Sequence, residues 1–584
     1  MNSDATSHGD APERQPDAGT EGTGEFAFEE QTPQGNPRFG QMFPVLTDSE
    51  IERVLRFGTS RSYAAGETLY RAGGASPGMF VLLSGTIRYV RRDGMGHRGL
   101  LRARVQRGEF TSDIGMLSGK RGLVDAEVME NVEALVIPPD RLRALMIAEA
   151  ELGERIMRAL ILRRVAAIER GQGAVLVGAP DDARLVALQY FLRRNGHPHM
   201  TLDVHDAEAI ALLERLTPAS GDMPLVLCAN GTMLRNPDEA QLASCLGLIP
   251  EFDPAHIYDL AVVGAGPAGL AAAVYAASEG LSVAVFDCRA PGGQAGTSSR
   301  IENYLGFPTG ISGQALAARA FNQAQKFGTH IGIPLEVKTL HCERYPLAIE
   351  LANARRIAAR TVVIASGAEY RRPAVEGLAR FEGRGVYYWA TPIEARLCRN
   401  EPVLLVGGGN SAGQAIVFLA SQVAHVHVLV RGPDLARSMS RYLIERIESL
   451  PNVTINTGAE MIGLEGDERL ERVHYRQGDG LERRLGTHHL FLFIGAEPNT
   501  SWLRTCGVVT DQNGFVLTGT DVGAVAATRT LPLQTSVDGV FAIGDVRSGS
   551  TKRVAAAVGE GAAVIAQIHS FLATRADSAV IRSR

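Results

Sequence analysis

Residues 258–287 read YDLAVVGAGPAGLAAAVYAASEGLSVAVFD, and this stretch decides the fold of the C-terminal half of the chain. An apolar run is followed by Gly264-x-Gly266-x-x-Gly269, a helix-like run and a second apolar run that ends at Asp287. Glycines at this spacing allow a tight strand-to-helix turn, close approach of a pyrophosphate and close packing of the helix on the strand. The stretch therefore predicts a dinucleotide-binding βαβ unit in which Asp287 binds an adenosine ribose.

A second strand–turn–helix pattern lies in residues 402–420, PVLLVGGGNSAGQAIVFLA. It contains Gly407-x-Gly409-x-x-Ala412, and the next apolar run, HVHVLVR, ends at Arg431. Because that strand end offers a guanidinium and no carboxylate, it suits a ribose 2′-phosphate and favours NADP(H) over NAD(H). The alternative interpretation, that Arg431 is a solvated charge, leaves NADH open as the reductant.

Two dinucleotide motifs in one chain predict two dinucleotides, one flavin and one nicotinamide. The same half of the chain carries the segments PGGQ (291–294), IENY (301–304), ASGA (365–368), GAEPN (495–499) and the Gly-Asp pair at 544–545. With both glycine motifs, these segments closely resemble the low-molecular-weight thioredoxin reductases, a family of pyridine-nucleotide flavoproteins. The resemblance runs from residue 258 to about residue 572.

The resemblance implies FAD and NADPH as cofactors and a Rossmann-like α/β domain for each. The implied FAD residues are Gly264, Gly266, Pro267, Ala268, Gly269, Asp287, Gly292, Gly293, Gln294, Asn303, Gly367, Gly544, Asp545 and Arg553. The implied NADP residues are Gly407, Gly409, Asn410, Ser411, Ala412 and Arg431. In this family the equivalent of Asp545 binds the ribityl chain. The NAD(P)H domain, here 373–487, is inserted into the FAD domain, here 257–372 and 488–575, and rotates on it.

The redox dithiol of the family lies in a Cys-Ala-Thr-Cys turn, and this chain departs from that pattern. The matching turn is Trp389-Ala390-Thr391-Pro392, so both sulfur positions are lost. The nearest cysteine, Cys398, lies about two helical turns further along and has no partner close in sequence. No catalytic residue is assigned here, electrons cannot leave by the usual dithiol, and Trp389 is expected to stack over or shield the flavin ring.

The N-terminal part divides into a tail and a first domain. Residues 1–40 are rich in Gly, Pro, Asp, Glu, Gln and Thr, which predicts a disordered tail. Residues 41–170 begin with a helix pattern after Thr47, continue with short strand-like runs and end in a long apolar-periodic helix. The segments FPVLTDSEI, GETLYRAGG, FVLLSGTIRYV and GEFTSDIGMLSGKR resemble the cyclic-nucleotide-binding domain, which implies a β-roll.

The phosphate-binding segment of that domain is only partly matched. The family's Gly-Glu pair is Ser112-Asp113, and Asp113 is the implied ligand of a ribose hydroxyl. Arg121 is the implied phosphate ligand, although the Arg-x-Ala-Thr pattern around it is not clean. Two interpretations remain open: a cyclic nucleotide binds near Asp113 and Arg121, or the domain serves packing or another ligand.

Residues 173–250 predict the order β-α-β-α-β-β-α, which resembles a thioredoxin-type module. Met223-Pro224 stands where that family has a cis-proline. The first βα turn, 178–182, contains no cysteine, which excludes dithiol exchange at that turn. A docking or spacer role is the remaining interpretation.

Composition and charge exclude several partner classes. Lys and Arg number 59 against 64 Asp and Glu, a net charge of −5, and no basic cluster predicts nucleic-acid binding. Residues 257–277 are apolar but broken by Gly and Pro, so no membrane segment is expected. Six scattered cysteines without a CxxC pair fit a reducing cytoplasm, and no metal-ligand spacing is present. A homodimer is expected only by family analogy.

The sequence thus predicts a multidomain protein: a cyclic-nucleotide-binding-like β-roll, a thioredoxin-like module without redox cysteines, and two Rossmann-like domains. Its predicted function is that of an FAD-dependent NAD(P)H oxidoreductase that passes electrons to an unidentified acceptor, with the N-terminal domain as a candidate regulator. Two alternatives stay open. One is a nucleotide or redox sensor whose flavoprotein part does not turn over, and the other is a ferredoxin- or flavin-type NADP reductase.

Overall fold

The structure is a computed structural model of the chain, and it describes residues 37–92, 98–171, 173–219, 221–298, 300–525 and 531–582. Most of the predicted disordered tail, residues 1–36, lies outside the described residues. The last residues assigned to that tail are described, and helix α1 (Phe39–Met42) begins among them. Phe39 packs on Phe43 of the first domain with their ring centroids 5.0 Å apart, so the first domain's ordered part starts before residue 41.

The first domain is a β-roll, as predicted. Its elements are α1, α2 (Asp48–Leu55), β1 (Thr59–Tyr63), β2 (Thr68–Tyr70), β3 (Met79–Ser84), β4 (Ile87–Arg92), β5 (Arg98–Val105), β6 (Val124–Val128), β7 (Val132–Ile137), α3 (Pro139–Ala148) and α4 (Ala150–Glu169). The strands form two antiparallel sheets, ordered β1-β7-β3 and β2-β6-β4-β5. Thr47 caps α2 and forms a capping box with Glu50, which confirms the predicted helix start.

The next unit, which we call the central module (173–250), has the predicted order of elements. They are β8 (Ala174–Gly178), α5 (Ala183–Arg194), β9 (His199–Asp203), α6 (Ala207–Leu216), β10 (Leu225–Leu227), β11 (Met233–Arg235) and α7 (Glu239–Cys245). β8 pairs parallel to β9 and antiparallel to β10. The Met223–Pro224 peptide is cis.

The central module contains a cysteine pair that the sequence analysis did not predict. Cys228 and Cys245, 17 residues apart in sequence, form a disulfide. Because β10 is antiparallel to β8, Cys228 lies at the edge of the sheet where β8 begins, opposite the cysteine-free turn that follows Gly178. The sequence spacing could not show this pair, since its members come from a strand end and a helix end that only the folded module brings together.

The FAD domain predicted from the sequence contains a mixed seven-stranded sheet. Its first part comprises β12 (Ile257–Val263), α8 (Pro267–Ser278), β13 (Val283–Phe286), α9 (Gly313–Lys326), β14 (His330–Gly332), β15 (Val337–His341), β16 (Leu347–Leu351), β17 (Arg356–Ile364) and β18 (Ala368–Tyr370). The strand order is β14-β13-β12-β17-β16-β15, and a late strand completes the sheet by pairing with β17. β12, β13 and β14 are parallel, which is the geometry of a βαβ dinucleotide unit.

The NAD(P)H domain predicted from the sequence is a second parallel sheet. Its elements are α10 (Leu378–Phe381), β19 (Val386–Tyr387), α11 (Pro392–Leu397), β20 (Pro402–Val406), α12 (Asn410–Ala420), β21 (His425–Val430), α13 (Arg441–Glu448), β22 (Val453–Thr457), β23 (Glu460–Glu465), β24 (Arg472–Arg476), β25 (Glu482–Gly486) and β26 (Leu490–Leu492). The order is β19-β26-β20-β21-β22, and β23, β24 and β25 form a separate antiparallel meander. β26 lies beyond residue 487, the predicted end of this domain, and belongs to its sheet because it pairs with β19 and β20.

The chain then returns to the first sheet through β27 (Ala496–Pro498), β28 (Val540–Ala542) and α14 (Val554–Arg582). β28 is the late strand beside β17, and β27 pairs with β18. The stretch Val554–Arg575 of α14 is long and apolar enough to cross a membrane by length and composition alone. Here α14 packs against α8, and its residues Val564 and Ile568 are buried in the core of the FAD domain.

Candidate cofactor and ligand sites

The turn between β12 and α8 has the shape that the glycine motif predicts. Gly264 has a φ of 110°, and a Cβ there would lie 2.2 Å from the Ala365 carbonyl oxygen. A Cβ at Gly269 would lie 1.9 Å from the Gly264 oxygen, so this glycine allows the helix to pack on the strand. By contrast, Gly266 at the start of α8 has no neighbour closer than the Cα of Gly293, 4.0 Å from the position of its Cβ. The open space beside Gly266 fits a pyrophosphate at the helix N-terminus.

Asp287 makes backbone contacts that the sequence analysis did not predict. One carboxylate oxygen accepts the backbone N–H of Ala265 at 2.9 Å, and the other accepts those of Arg289 and Ala290. The carboxylate therefore braces the glycine turn and the following loop against each other. Its predicted contact with a ribose stays a prediction.

The PGGQ segment lies directly beside this turn. Gly292 has a φ of 95° and donates its N–H to the Ala265 carbonyl at 2.7 Å. The Gln294 side-chain amide donates to the Ala368 carbonyl, which joins the segment to β18. The structure therefore brings together two of the regions predicted to hold FAD.

The C-terminal part of the predicted FAD site also meets α8. A Cβ at Gly544, whose φ is 73°, would lie 2.9 Å from the Ala268 side chain. Glu560 accepts the N–H of Gly544 at 2.6 Å. Burial raises the pKa of Asp545, while Lys552 acts in the opposite direction.

Three further residues predicted to bind FAD make no close contact in the structure that would indicate how they bind it. Gly367 has a φ of 66° with open space around it, and Asn303 and Arg553 are exposed. Their roles stay predictions.

The turn between β20 and α12 repeats the first arrangement. A Cβ at Gly407, whose φ is 148°, would lie 2.4 Å from the Phe493 carbonyl, whereas one at Gly409 meets only the Ser438 carbonyl at 4.0 Å. Asn410 accepts the backbone N–H of Ser440 at 2.7 Å, so it fixes the loop that follows β21. This turn fits a second pyrophosphate at the N-terminus of α12.

The remaining predicted NADP residues surround that turn. Ser411 is exposed at the start of α12 and Ala412 is buried behind it. Arg431 is exposed at the end of β21, where a 2′-phosphate would be accessible to it.

The turn that replaces the family dithiol is packed, not vacant. The Trp389 indole donates to Glu394 at 3.0 Å, and Pro392 is the first residue of α11. The indole also stacks on Tyr190 of α5, with ring centroids 5.2 Å apart and planes 10° apart. One face of Trp389 is therefore covered by Tyr190 of the central module. The expectation that Trp389 stacks over or shields the flavin stays a prediction for its other face.

Cys398 cannot replace the missing dithiol. It is fully buried, and burial raises the pKa of its thiol, with Glu394 and Glu401 adding to the effect. A buried thiol with a raised pKa is a poor nucleophile at neutral pH. Among the described residues, the disulfide partners are Cys228 and Cys245, in the central module.

The first domain contains a pocket, which we call the N-terminal pocket, where the two predicted cyclic-nucleotide residues meet. Asp113 and Arg121 both line it, together with Lys120 and Arg163. The full lining is Met42, Phe43, Tyr70, Ser76, Tyr89, Leu101, Ser112, Asp113, Met116, Lys120, Arg121, Gly122, Leu123, Val124, Arg163 and Ala167. Three cationic side chains against one carboxylate, between apolar and aromatic walls, suit an organic anion.

The backbone at Ser112, which stands at the glycine position of the family's Gly-Glu pair, has a conformation that favours glycine. Ser112 has a φ of 80°, the left-handed region in which glycine is favoured, as in the family's Gly-Glu pair. Asp113 accepts the N–H of Gly115 at 2.6 Å and caps a short helix, Ile114–Ser118. It also lies 3.7 Å from Arg164, so its carboxylate already has partners within the protein.

Comparison with known proteins agrees with this geometry. Residues 258–561, about half the chain, match the pyridine nucleotide-disulphide oxidoreductases. The chain belongs to this family. As a member, it is an FAD-dependent NAD(P)H oxidoreductase whose cofactors are FAD and NADPH. Residues 60–149 match the cyclic nucleotide-binding domain, which confirms the predicted fusion.

Individual oxidoreductases of this family match the same half of the chain. The thioredoxin reductase of Mycoplasma genitalium is 32% identical over 313 residues, which cover 53% of this chain and 94% of that protein. NADPH-dependent thioredoxin reductase 3 of Arabidopsis thaliana is 31% identical over 313 residues, 52% of this chain and 56% of that one. The crystal structure of Lactococcus lactis thioredoxin reductase has a TM-score of 0.50 at 24% identity, covering 54% of this chain and 99% of that one, and shows the shared fold.

Sequence reasoning missed several residues around these sites. Lys120 and Arg163 line the N-terminal pocket, and Tyr190 and Arg194 of α5 contact the oxidoreductase domains. Lys120 stands beside Arg121 in the phosphate-binding segment and could have been included on that ground. The other three come from helices whose contacts depend on domain packing, so no local pattern marks them.

Proposed function

We propose that this chain transfers hydride from NADPH to FAD and passes the electrons to an acceptor other than a dithiol of its own, under control of an anion bound in the N-terminal pocket. The transfer of hydride from NADPH to FAD is supported by the two glycine turns. In each turn the first glycine is packed against backbone, at Gly264 or Gly407, and the second has open space beside it, at Gly266 or Gly409. The dithiol turn of the family is occupied by Trp389 and Pro392, which supports an acceptor outside the chain.

Bound FAD would supply the hydride-accepting ring, and the chain's part is to bind and orient the cofactors. The helix starts of α8 and α12 would present N–H groups to the two pyrophosphates. Asp545 lies beside Lys552 on the C-terminal side of the predicted FAD site, where it is the candidate ligand of the ribityl chain. A quinone, another small molecule, oxygen or a ferredoxin-like carrier would then take the electrons.

Anaerobic stopped-flow absorbance on the yellow holoprotein tests this proposal. NADPH should bleach the flavin, and added quinone should return the colour over many cycles. Bleaching without turnover on quinone, ferricyanide, ferredoxin or oxygen would support a sensor instead. A flavin that NADPH does not bleach would contradict the oxidoreductase.

Arg431→Ala should reduce the preference for NADPH over NADH by roughly tenfold, since one charge-assisted contact to the 2′-phosphate is lost. The change should appear in KM for NADPH and leave KM for NADH unaltered, as measured by steady-state kinetics with both reductants. Arg484→Ala, on the exposed face of β25, is the matched control and should change neither. Equal loss with both reductants would show that Arg431 does not contact the 2′-phosphate.

We propose a cyclic nucleotide as the anion of the N-terminal pocket. The match of residues 60–149, the left-handed Ser112 and the cations Lys120 and Arg121 support this choice. Calorimetry with cyclic AMP and cyclic GMP should show binding heat that Arg121→Ala abolishes. No heat with either nucleotide at millimolar concentration would retire cyclic nucleotides as the ligand class.

Anion binding should take up protons and weaken as the pH rises above about 7. Burial lowers the pKa of Lys120 to about 7, with Arg164 adding to the effect and Asp113 opposing it; buried His197 is another titratable neighbour. A bound anion raises that pKa, so below pH 7 Lys120 is already charged and above it binding must protonate the amine. Affinity should fall by up to about tenfold per pH unit above 7.

Calorimetry of cyclic AMP binding in buffers of different ionisation enthalpy measures that proton uptake. Lys120→Arg is the control, because a guanidinium stays protonated across this range and should give a flat pH profile. Proton release in the parent chain, or the same slope in Lys120→Arg, would contradict the assignment to Lys120.

We place the protein in the cytoplasm, where NADPH is available, and expect a homodimer. The apolar α14 supports a non-membrane location because it packs on α8 within the FAD domain. Light scattering of the purified holoprotein checks the dimer, and fractionation of cells checks the location.

A further inference from the structure

Helix α5 of the central module lies between the three other domains. Its N-terminus is capped by Asp182, which accepts the N–H of Leu185 at 2.8 Å. One face is buried in the module's own core through Leu188 and Leu192. Other residues of the helix contact the FAD and NAD(P)H domains, and two of these contacts reach segments described above as parts of candidate sites.

The C-terminal end of α5 forms hydrogen bonds with the loop that contains the PGGQ segment, which is predicted to bind FAD. The Arg194 guanidinium donates to the Gly293 carbonyl at 2.7 Å. Asn195, the next residue, donates its side-chain amide to the Arg289 carbonyl at 2.9 Å. Gln314 of the FAD domain donates to the Arg193 carbonyl at 2.7 Å. The PGGQ segment therefore depends on the central module for part of its position.

The same helix also contacts the predicted NAD(P)H domain. Tyr190 stacks on Trp389, the residue at the family's first sulfur position, and the Arg194 guanidinium lies 5.6 Å from the Tyr190 ring centre. A Cβ on Gly383 would lie 3.4 Å from Ala183, so the NAD(P)H domain also approaches the start of α5. One helix thus contacts both predicted cofactor domains. Under the proposed function, the relative orientation of these domains would set whether NADPH can reach FAD.

Lys120 connects the N-terminal pocket to Asn195, the residue that follows α5. Lys120 lines the pocket, and its ammonium donates to the Asn195 carbonyl at 3.1 Å. The ammonium also lies 5.5 Å from the ring centre of Phe321 in the FAD domain. Arg164 of the first domain donates to the adjacent Gly196 carbonyl at 3.0 Å. An anion in the pocket would compete with the Asn195 carbonyl for Lys120, because a full negative charge is the stronger acceptor.

We propose that α5 restrains the two cofactor domains relative to each other, and that an anion bound in the N-terminal pocket loosens this restraint by drawing Lys120 away from Asn195. This proposal rests on the proposed function, because its effect is measured as the rate of flavin reduction by NADPH. It adds the route by which the anion would regulate that reaction. Occupancy of the pocket then speeds flavin reduction by NADPH. The two states differ in the Lys120 contact, which gives the anion the differential interaction that a population shift requires.

Lys120→Met tests the route without any ligand, because it keeps the stem and removes the ammonium. In anaerobic stopped flow at saturating NADPH, the variant's flavin should be reduced about 3- to 10-fold faster than the parent's. Tyr190→Leu should give a similar rise, and the double variant should rise no further, since both changes release the same restraint. Lys338→Met, at an exposed position on β15, is the control and should match the parent.

Tryptophan fluorescence reports the restraint independently of hydride transfer. The chain has two tryptophans, Trp389 and Trp502, so in a Trp502→Phe background the emission comes from Trp389 alone. Adding Lys120→Met, or saturating the holoprotein with cyclic AMP, should change that emission. Cyclic AMP should have no effect on the emission once Lys120 is methionine.

The outcomes separate the inference from the function on which it rests. Parent-like reduction rates in Lys120→Met, or additive effects of Lys120→Met and Tyr190→Leu, overturn the coupling. Unchanged Trp389 emission in Lys120→Met overturns it as well, even if Tyr190→Leu fails to fold. If NADPH does not reduce the parent's flavin, both the proposed function and this inference are contradicted.

Discussion

Gly266→Val should give a folded but colourless protein whose affinity for FAD falls by at least about 100-fold, the loss expected when a side chain displaces a pyrophosphate from its backbone contacts. The position has an ordinary φ of −71° and its added Cβ would meet no atom closer than 4.0 Å, so we expect the ligand-free fold to accept valine. That space is where the pyrophosphate must approach the start of α8. Flavin content after purification and FAD titration by fluorescence quenching measure the effect.

Gly486→Val is the matched control, since Gly486 also has open space around it and lies on β25, away from both glycine turns. It should retain full flavin content. After FAD has been removed from both proteins, Gly266→Val and Gly486→Val should unfold at similar temperatures. This comparison separates loss of FAD binding from loss of the fold. A yellow Gly266→Val protein with parent-like FAD affinity would show that FAD does not lie against α8.

Reduction of thioredoxin or a small aromatic disulfide by the parent chain should be at least about 100-fold slower than reduction of a quinone, because no thiolate stands at the two family sulfur positions to attack the disulfide. The two sulfur positions of the family hold Trp389 and Pro392, and the Cys398 thiol is fully buried. Steady-state NADPH oxidation with each acceptor measures the ratio.

Cys398→Ser is the control for this prediction and should leave quinone turnover within about twofold of the parent, as expected for a thiol with no chemical role. The pair Cys228→Ser and Cys245→Ser tests the disulfide of the central module in the same way. Disulfide reduction at the rate of quinone reduction, abolished by either change, would show that one of these sulfurs relays electrons.

Local sequence was informative where chemistry demands one residue type at one place. Gly264 and Gly407 occupy backbone angles and clearances that exclude a Cβ, so the motif predicted both turns correctly. The order of strands and helices in the central module was predicted for a similar reason, since apolar periodicity and turn residues act over short distances. The Cys228–Cys245 disulfide was missed because its partners lie on elements that meet only after folding.

The sequence by itself determined that the chain has two dinucleotide turns, a cyclic-nucleotide-binding-like domain and no dithiol at Trp389 and Pro392, because each follows from residue identities within a few positions. Only the tertiary structure decided that Tyr190 covers Trp389, that Asp287 braces a loop, and that Lys120 connects the N-terminal pocket to α5. The Tyr190–Trp389 and Lys120–Asn195 contacts join residues up to about 200 positions apart and depend on how whole domains pack, whereas the Asp287 contacts depend on how one loop folds back on the glycine turn.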